Sequence, residues 1–336
     1  MQRKRTLIND ATLREGNQAS GVRFSVHDSV AIATALDGIG VDMIEIGHPL
    51  AGPYEHQRTE AVAKLGLGAK IIAHARAHRT DIEAVSRTGA TWVGIFLGVN
   101  DITTKARVIG RSTTELIRMV ADAVKVAKDC GLNIRYSCED ASRTNTLFLV
   151  DVFGAAIDAG ADRICYADTL GIAEPAEVAR KVTLMKSEFP DAEVEVHLHD
   201  DRGLAMANSL AAIDAGVDSI SVSVNALGER CGITDLATLL VNLGFRGERA
   251  LPDISELRAL SRLVAMSSNT PFDALRPIVG DNAFKHGSKL HQRATQYEPR
   301  AYDWIKEFIY RHDQQAVGQA PGEEPSAPDQ TVSEIS

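Results

Sequence analysis

His197 and His199, separated by Leu198, carry the sharpest chemical signal in the sequence. On an extended strand, residues two apart project to one side with Cα atoms roughly 6.5–7 Å apart, so both imidazoles can reach one metal ion. Asp200 and Asp201 follow directly and are expected to accept hydrogen bonds that orient the rings. A third ligand must come from elsewhere. Asp10 and Glu15, in Asn9-Asp-Ala-Thr-Leu-Arg-Glu-Gly-Asn-Gln18, are the available carboxylates. Two histidines and a carboxylate leave coordination positions open for a reactant, and this nitrogen–oxygen set suits Zn, Mn, Co or Fe better than Ca.

Other polar clusters recur at similar places. Ser137-Cys-Glu-Asp-Ala-Ser-Arg143 combines two carboxylates with an Arg, and Arg135 shares the face of Ser137 on its strand. Asn225-Ala-Leu-Gly-Glu-Arg-Cys-Gly232 flanks a charged pair with glycines, a turn able to expose backbone amides to an anion or carbonyl. Each cluster ends a short apolar run. Those runs, at 6–10, 43–47, 70–74, 92–97, 133–137, 163–168, 193–199 and 219–225, read as strands, and amphipathic segments such as 26–39, 113–129, 147–159 and 176–188 lie between them. Strand–helix alternation implies a parallel sheet, and eight units in about 240 residues fit an α/β (β/α)8 barrel. Gly38-Ile-Gly-Val-Asp, Gly89-Ala-Thr-Trp, Ala159-Gly-Ala-Asp and Ala215-Gly-Val-Asp support the count, each closing a helix with Gly before the next strand. In such a barrel the chemistry belongs at the C-terminal strand ends, where all these clusters fall. The expected domains are a catalytic barrel over 1–250, a short C-terminal helical subdomain over 251–312 with a helix at 252–267, and a disordered tail over 313–336, rich in Gln, Gly, Pro, Glu and Ser.

Composition narrows the function classes. The 336 residues carry 36 Lys and Arg against 45 Asp and Glu, a formal net charge of −9, which argues against a nucleic-acid partner. No apolar stretch approaches the eighteen residues of a membrane span. The basic start, Met1-Gln-Arg-Lys-Arg, precedes too short an apolar core for a signal peptide, so a soluble, cytoplasmic chain is expected. Cys130, Cys138, Cys165 and Cys231 contain no CxxC pair and read as free buried thiols.

Asp10-Ala-Thr-Leu-Arg-Glu-Gly-Asn-Gln18, His197-Leu-His199 and Asn225-Ala-Leu-Gly-Glu-Arg230, in this order, resemble the signature of the DRE-TIM metallolyase superfamily. Ala73-His-Ala-Arg76, Arg135-Tyr-Ser-Cys-Glu-Asp140, Ala167-Asp-Thr-Leu-Gly171 and Gly228-Glu-Arg-Cys-Gly-Ile-Thr234 most resemble its homocitrate synthases, with the likeness running from Thr6 to Tyr302. The resemblance implies an acyltransferase that condenses acetyl-CoA with a 2-oxo acid in a Claisen-type reaction. It implies that Glu15, His197 and His199 hold a divalent metal (Zn, Mn, Mg or Co) that chelates and polarises the 2-oxo group. Arg14 would lie beside the developing oxyanion, Gln18 and Thr169 would meet the substrate carboxylate, and Glu139 would hold the acetyl-CoA side. Asn225, Gly228 and Glu229 are grouped with cofactor binding. Ala283-Phe-Lys-His-Gly-Ser-Lys-Leu-His291 and Tyr302 resemble a segment that in those synthases enters the partner subunit's site. A homodimer is therefore expected, with His286 and Tyr302 serving proton abstraction.

The sequence also departs from the homocitrate synthase pattern. His48 stands where Thr or Ser is usual, Asn225-Ala226 is closer to the isopropylmalate branch, and 98–110 is a longer loop. His74, Arg76, Lys105, Arg107 and Arg135 are expected to bind substrate, the four cations converging on one wall. Such a wall favours a dianionic 2-oxo acid, 2-oxoglutarate or a phosphonate analogue such as phosphonopyruvate. The alternatives are an isopropylmalate-type synthase, a hydroxyacyl-CoA lyase running the reverse cleavage, and a non-catalytic metal-binding barrel.

Overall fold

The computed structural model describes residues 5–305. Eight parallel strands close a barrel in sequence order, with the last pairing to the first. They are β1 (Leu7–Asp10), β2 (Met43–Ile46), β3 (Lys70–Arg76), β4 (Trp92–Phe96), β5 (Asn133–Cys138), β6 (Arg163–Asp168), β7 (Glu193–Leu198) and β8 (Ser219–Val222). The helices are α1 (Val26–Ile39), α2 (Pro53–Ala63), α3 (Arg79–Ser86), α4 (Asp101–Arg107), α5 (Thr113–Asp129), α6 (Thr146–Asp158), α7 (Pro175–Glu188), α8 (Ala205–Asp214), α9 (Leu236–Phe245), α10 (Ile254–Ser268) and α11 (Lys289–Tyr297). Each strand is followed by a helix, as the alternation requires. The barrel is the expected (β/α)8 fold.

Local chemistry sets the helix ends. Ser25 accepts from the Asp28 N–H while Asp28 accepts from the Ser25 N–H, a capping box that starts α1, and Gly40 ends it at φ 84°. Ser112 and Glu115 do the same for α5. Two expectations change here. The segment expected as a loop at 98–110 contains α4, because the Asn100 side chain accepts from the N–H groups of Ile102 and Thr103. The eighth strand stops at Val222 rather than 225, since Asn225 and Ala226 take left-handed φ values of 59° and 53°.

The barrel's outer shell is apolar, but its centre is charged. Arg135 Nη1 donates to Glu45 (2.9 Å) and Glu195 (2.8 Å), Arg163 Nη1 donates to Glu195 (2.9 Å), and Arg14 Nε donates to Glu45 (2.6 Å). Glu45 and Glu195 are fully buried, with Arg135 and Arg163 nearly so. Register creates the room. Gly94 pairs with Arg135 across β4 and β5, and a Cβ there would sit 2.9 Å from Arg135 Nη2 and 2.9 Å from His74 Cδ2. Burial pushes both carboxyls up, but Arg135, joined by Arg14 at Glu45 and by Arg163 at Glu195, holds them below the usual carboxylate range.

The chain divides into two compact units, Met1–Ala283 and Phe284–Ser336. Helix α10 packs on α1 and so joins the barrel, which places the division later than residue 250. Within the second unit, His291 stacks on the Tyr302 ring at 4.0 Å, and His286 lies 6.0 Å from that ring. The end of the expected helical subdomain and the expected tail at 313–336 lie outside the described residues. Among the described residues no helix is long and apolar enough to cross a membrane. All four cysteines are free, but only Cys138 and Cys165 are buried; Cys130 is half-buried and Cys231 exposed, which corrects the expectation of four buried thiols.

Glu195 is the joint between Arg135 and Arg163. Glu195→Ala is expected to lower the unfolding free energy by about 3–5 kcal/mol, read from denaturant melts. A loss below about 1 kcal/mol would show that water or a neighbouring group replaces the carboxylate.

Candidate active site

Three elements meet at the C-terminal mouth of the barrel. A turn after β1, closed by the Glu15 N–H to the Ala11 carbonyl at 2.7 Å, presents Glu15. Strand β7 ends at Leu198 and delivers His197 and His199 to the same place. The loop after β8 closes from above: the Glu229 N–H donates to Glu15 Oε1 at 3.0 Å, and a Cβ on Gly228 would lie 2.9 Å from Glu15 Cγ. Only glycine lets that loop come so near.

Glu15, His197 and His199 are buried, and each offers a ligand atom within 4.8 Å of the other two. His197 Nε2 is 3.6 Å from Glu15 Oε2 and His199 Nε2 is 3.9 Å from Oε1. Burial pushes the Glu15 carboxyl up, but Arg14 and then His197 outweigh it and hold the group well below the usual range. Burial, then His197, pushes the His199 imidazole down to about 3, so the ring is neutral and has a lone pair to give. His199 Nδ1 is buried with no hydrogen-bond partner, which is costly unless the ring binds something else. An ionised carboxylate beside two histidines, one of them neutral and under-bonded, fits a divalent cation of the borderline transition-metal kind.

The orienting partners differ from those expected. His197 Nδ1 lies 2.8 Å from Ser221 Oγ on β8. Asp200 instead accepts from the Ala205 N–H at 2.8 Å, and Asp201 pairs with Arg230 at 2.7 and 3.0 Å, because both aspartates lie past the strand end and turn away. Asp10 accepts from the Thr12 N–H at 2.9 Å, burial pushes its carboxyl up to about 7, and it stays outside the three-ligand group.

A cavity of about 240 Å³ opens over this group. Of the residues expected to act, Arg14, Gln18, His74, Arg107, Arg135, Glu139, Thr169 and Glu229 line it together with Glu15, His197 and His199. Arg14 pairs with Glu15 and Glu45 and donates to Gln18 Oε1 at 3.2 Å. Thr169 Oγ1 accepts from the Asp140 N–H at 2.8 Å. Burial raises the Glu139 carboxyl despite its pairing with Arg107. The four-cation wall is not assembled. Arg76 is clamped by Asp81 at 2.7 and 2.9 Å and lines an adjoining cavity, and Lys105 is exposed on α4 and lines neither. Arg107 and Arg135 reach the cavity, but each is already paired with carboxylate. Asn225 is spent on Ser261, donating to its carbonyl at 2.8 Å and accepting from its hydroxyl, and does not line the cavity.

Several contributors carried no assigned role in the sequence. Glu45 had a visible signal, a carboxylate inside the apolar run Met43-Ile-Glu-Ile46. Glu195, between Val194 and Val196, had the same signal, whereas Ser221 and Phe96 had none.

The family model described as HMGL-like matches residues 5–264. The chain belongs to the HMGL-like family. Curated relatives named homocitrate synthase include that of Saccharolobus islandicus, 38% identical over 302 residues, and that of Sulfurisphaera tokodaii, 36% identical over the same length. Each match covers 89% of this chain and 65% of the relative, so the chain spans less than two thirds of their length. Among solved structures, the HMG-CoA lyase of Bacillus subtilis matches with a TM-score of 0.71 at 21% identity, covering 81% of this chain and 96% of that one. That likeness concerns the fold. The DRE-TIM resemblance read from the motifs and this family membership agree.

The ligand set makes a direct prediction. His197→Ala or His199→Ala should abolish tight binding of one divalent ion per chain, measured by metal analysis after dialysis, while the far-ultraviolet spectrum stays that of a barrel. A double variant that still retains one ion would remove Glu15, His197 and His199 as the site.

Proposed function

We propose that this chain is a metal-dependent acyltransferase condensing acetyl-CoA with a 2-oxo acid, homocitrate synthase-like, with a dianionic acid such as 2-oxoglutarate or phosphonopyruvate as its acceptor. The observation that carries the reading is the Glu15–His197–His199 set, with His199 Nδ1 unpartnered, lining a cavity beside Arg14. A divalent ion bound there supplies Lewis acidity to the ketone of the 2-oxo acid. Arg14, fixed by Glu45, keeps a positive charge where the ketone oxygen gains negative charge. Gln18 and Thr169, which line the cavity, would bond the carboxylate next to the ketone. Glu139, whose carboxyl burial raises, would serve the acetyl side, where a group able to share a proton is useful.

Support for an anionic distal group is chemical. Arg107 and Arg135 line the cavity with His48 and His74, and the buried Ser137 hydroxyl there has no hydrogen-bond partner. A branched alkyl group would leave that hydroxyl unsatisfied. The relatives named homocitrate synthase point the same way. Since Arg76 and Lys105 lie elsewhere and the two remaining arginines are paired, the preference rests on polar groups rather than on a surplus of cations. We further propose that the chain works as a homodimer, with His286 and Tyr302 of the second unit serving proton abstraction from the acetyl group; their resemblance to the synthase segment supports this.

The test is free-thiol release from acetyl-CoA with a panel of 2-oxo acids. Release with 2-oxoglutarate or phosphonopyruvate, at a kcat/KM at least about tenfold above 2-oxoisovalerate, is expected from one charge-assisted hydrogen bond. A preference for 2-oxoisovalerate would favour the isopropylmalate-type alternative. No release from any acid, with cleavage of a hydroxyacyl-CoA, would favour the lyase.

A further inference from the structure

One group in the cavity wall is left over by this account. His48 follows Gly47 at the end of β2, and its backbone is fixed on both sides: the Gly47 carbonyl accepts from the His74 N–H at 2.9 Å, and the His48 carbonyl accepts from the Ala51 N–H at 2.9 Å. Pro49 restricts the chain directly after it. The backbone is therefore held, and the ring direction is set by packing. Its ring meets His74 edge-on at 5.2 Å and Phe96 edge-on at 5.5 Å, while His74 stacks on Phe96 at 5.6 Å. These three rings form one wall of the cavity that holds Glu15, His197 and His199.

Most other ionisable groups that line the cavity are committed. Arg14 is shared by Glu15 and Glu45, Arg135 is held by Glu45 and Glu195, Arg107 is held by Glu139, and His74 Nε2 is taken up by Glu45 and Arg135. His48 differs. Its ring is half-buried, and among the described residues no side-chain hydrogen bond is made by either ring nitrogen. Burial, followed by the charge of Arg14, pushes its imidazole down to about 4, so at neutral pH it offers one N–H donor and one lone pair. Ser137 Oγ, also lining this cavity, is buried and lacks a partner as well. A half-buried imidazole and a buried hydroxyl with no partner within ordinary hydrogen-bond geometry, both lining one cavity, suit a ligand that carries hydrogen-bond acceptors.

Resting on the 2-oxo acid reading above, we propose that His48 is the specificity-determining residue for the distal group of the substrate. Its imidazole N–H donates to a distal oxyanion, a carboxylate or a phosphonate. Its ring, backed by His74 and Phe96, occupies the space that a branched alkyl group would need.

The test uses the full chain loaded with its divalent metal and measures calorimetric binding of 2-oxoglutarate, phosphonopyruvate and 2-oxoisovalerate without acetyl-CoA. His48→Phe keeps a ring against His74 and Phe96 but removes the donor. It should weaken the dianion that the wild type binds best by about tenfold or more and leave 2-oxoisovalerate within about threefold. His48→Ala should weaken the same dianion and improve 2-oxoisovalerate, because space opens where the ring stood. If one variant does not fold, judged by its melting temperature and metal content, the other carries the same dianion loss. Whichever dianion loses more identifies whether a carboxylate or a phosphonate is read. Equal change for all three acids, no change, or a wild type that binds none of them would overturn the proposal. Thiol release by the wild type is scored separately, so an absent condensation with intact His48-dependent binding would sink the functional reading and leave the specificity role standing.

Discussion

A chain of alternating buried charges organises this molecule: Arg14, Glu45, Arg135, Glu195 and Arg163, linked at 2.6–2.9 Å through the middle of the barrel. None of these groups can be left alone in so dry a place, because an unpaired buried charge costs several kcal/mol. Each therefore fixes its neighbours. Glu45 sits at the centre, receiving Arg14, both terminal nitrogens of Arg135, and Asn9 Nδ2 at 3.3 Å. Gly94 leaves the volume that lets the Arg135 guanidinium lie flat between β4 and the centre. The network ends at the barrel mouth, where Arg14 Nη1 pairs with Glu15. The fold's stability and the site's geometry thus share the same side chains.

That sharing shapes the electrostatics of the cavity. Glu15 is kept ionised by Arg14 and His197, and His199 is kept neutral by burial, the two protonation states a metal ligand needs. The cavity's arginines are neutralised by Glu45, Glu195 and Glu139, so it does not present a bare positive wall to solvent. Under the proposed function, selection among substrates would fall to groups with spare hydrogen-bonding capacity, among them the His48 ring.

Much of this could be read along the chain, and the remainder could not for a definite reason. Strand–helix alternation and the glycines that close helices gave the barrel, and Gly40, Gly89, Gly160 and Gly216 do take positive φ. His197 and His199 announced themselves by spacing, and the motif resemblance chose Glu15 over Asp10. The cations misled. Arg76, Lys105, Arg107 and Arg135 come from neighbouring elements, so convergence was a fair expectation, but Asp81 holds Arg76, Glu139 holds Arg107, Glu45 and Glu195 hold Arg135, and Lys105 is exposed on α4. The pairings of Arg135 span 60 and 90 residues, beyond the reach of any local pattern. Helix α4 was legible in retrospect from Asn100, an N-cap ahead of Asp101 in the first turn. Asp200 and Asp201 followed the histidines too closely in sequence to face them in space.

The central claim is that Glu45, which touches none of Glu15, His197 and His199, supports the candidate metal site by sharing the charge of Arg14 with Glu15. The most direct measurement is divalent-metal affinity of Glu45→Gln, titrated at a temperature where the variant is folded. With Glu45 neutral, Arg14 has only Glu15 to compensate it and competes with the ion, so affinity should fall by about ten- to a hundredfold, the range typical when a residue supporting a metal ligand is lost. A folded Glu45→Gln protein that binds metal as tightly as the wild type would contradict the account.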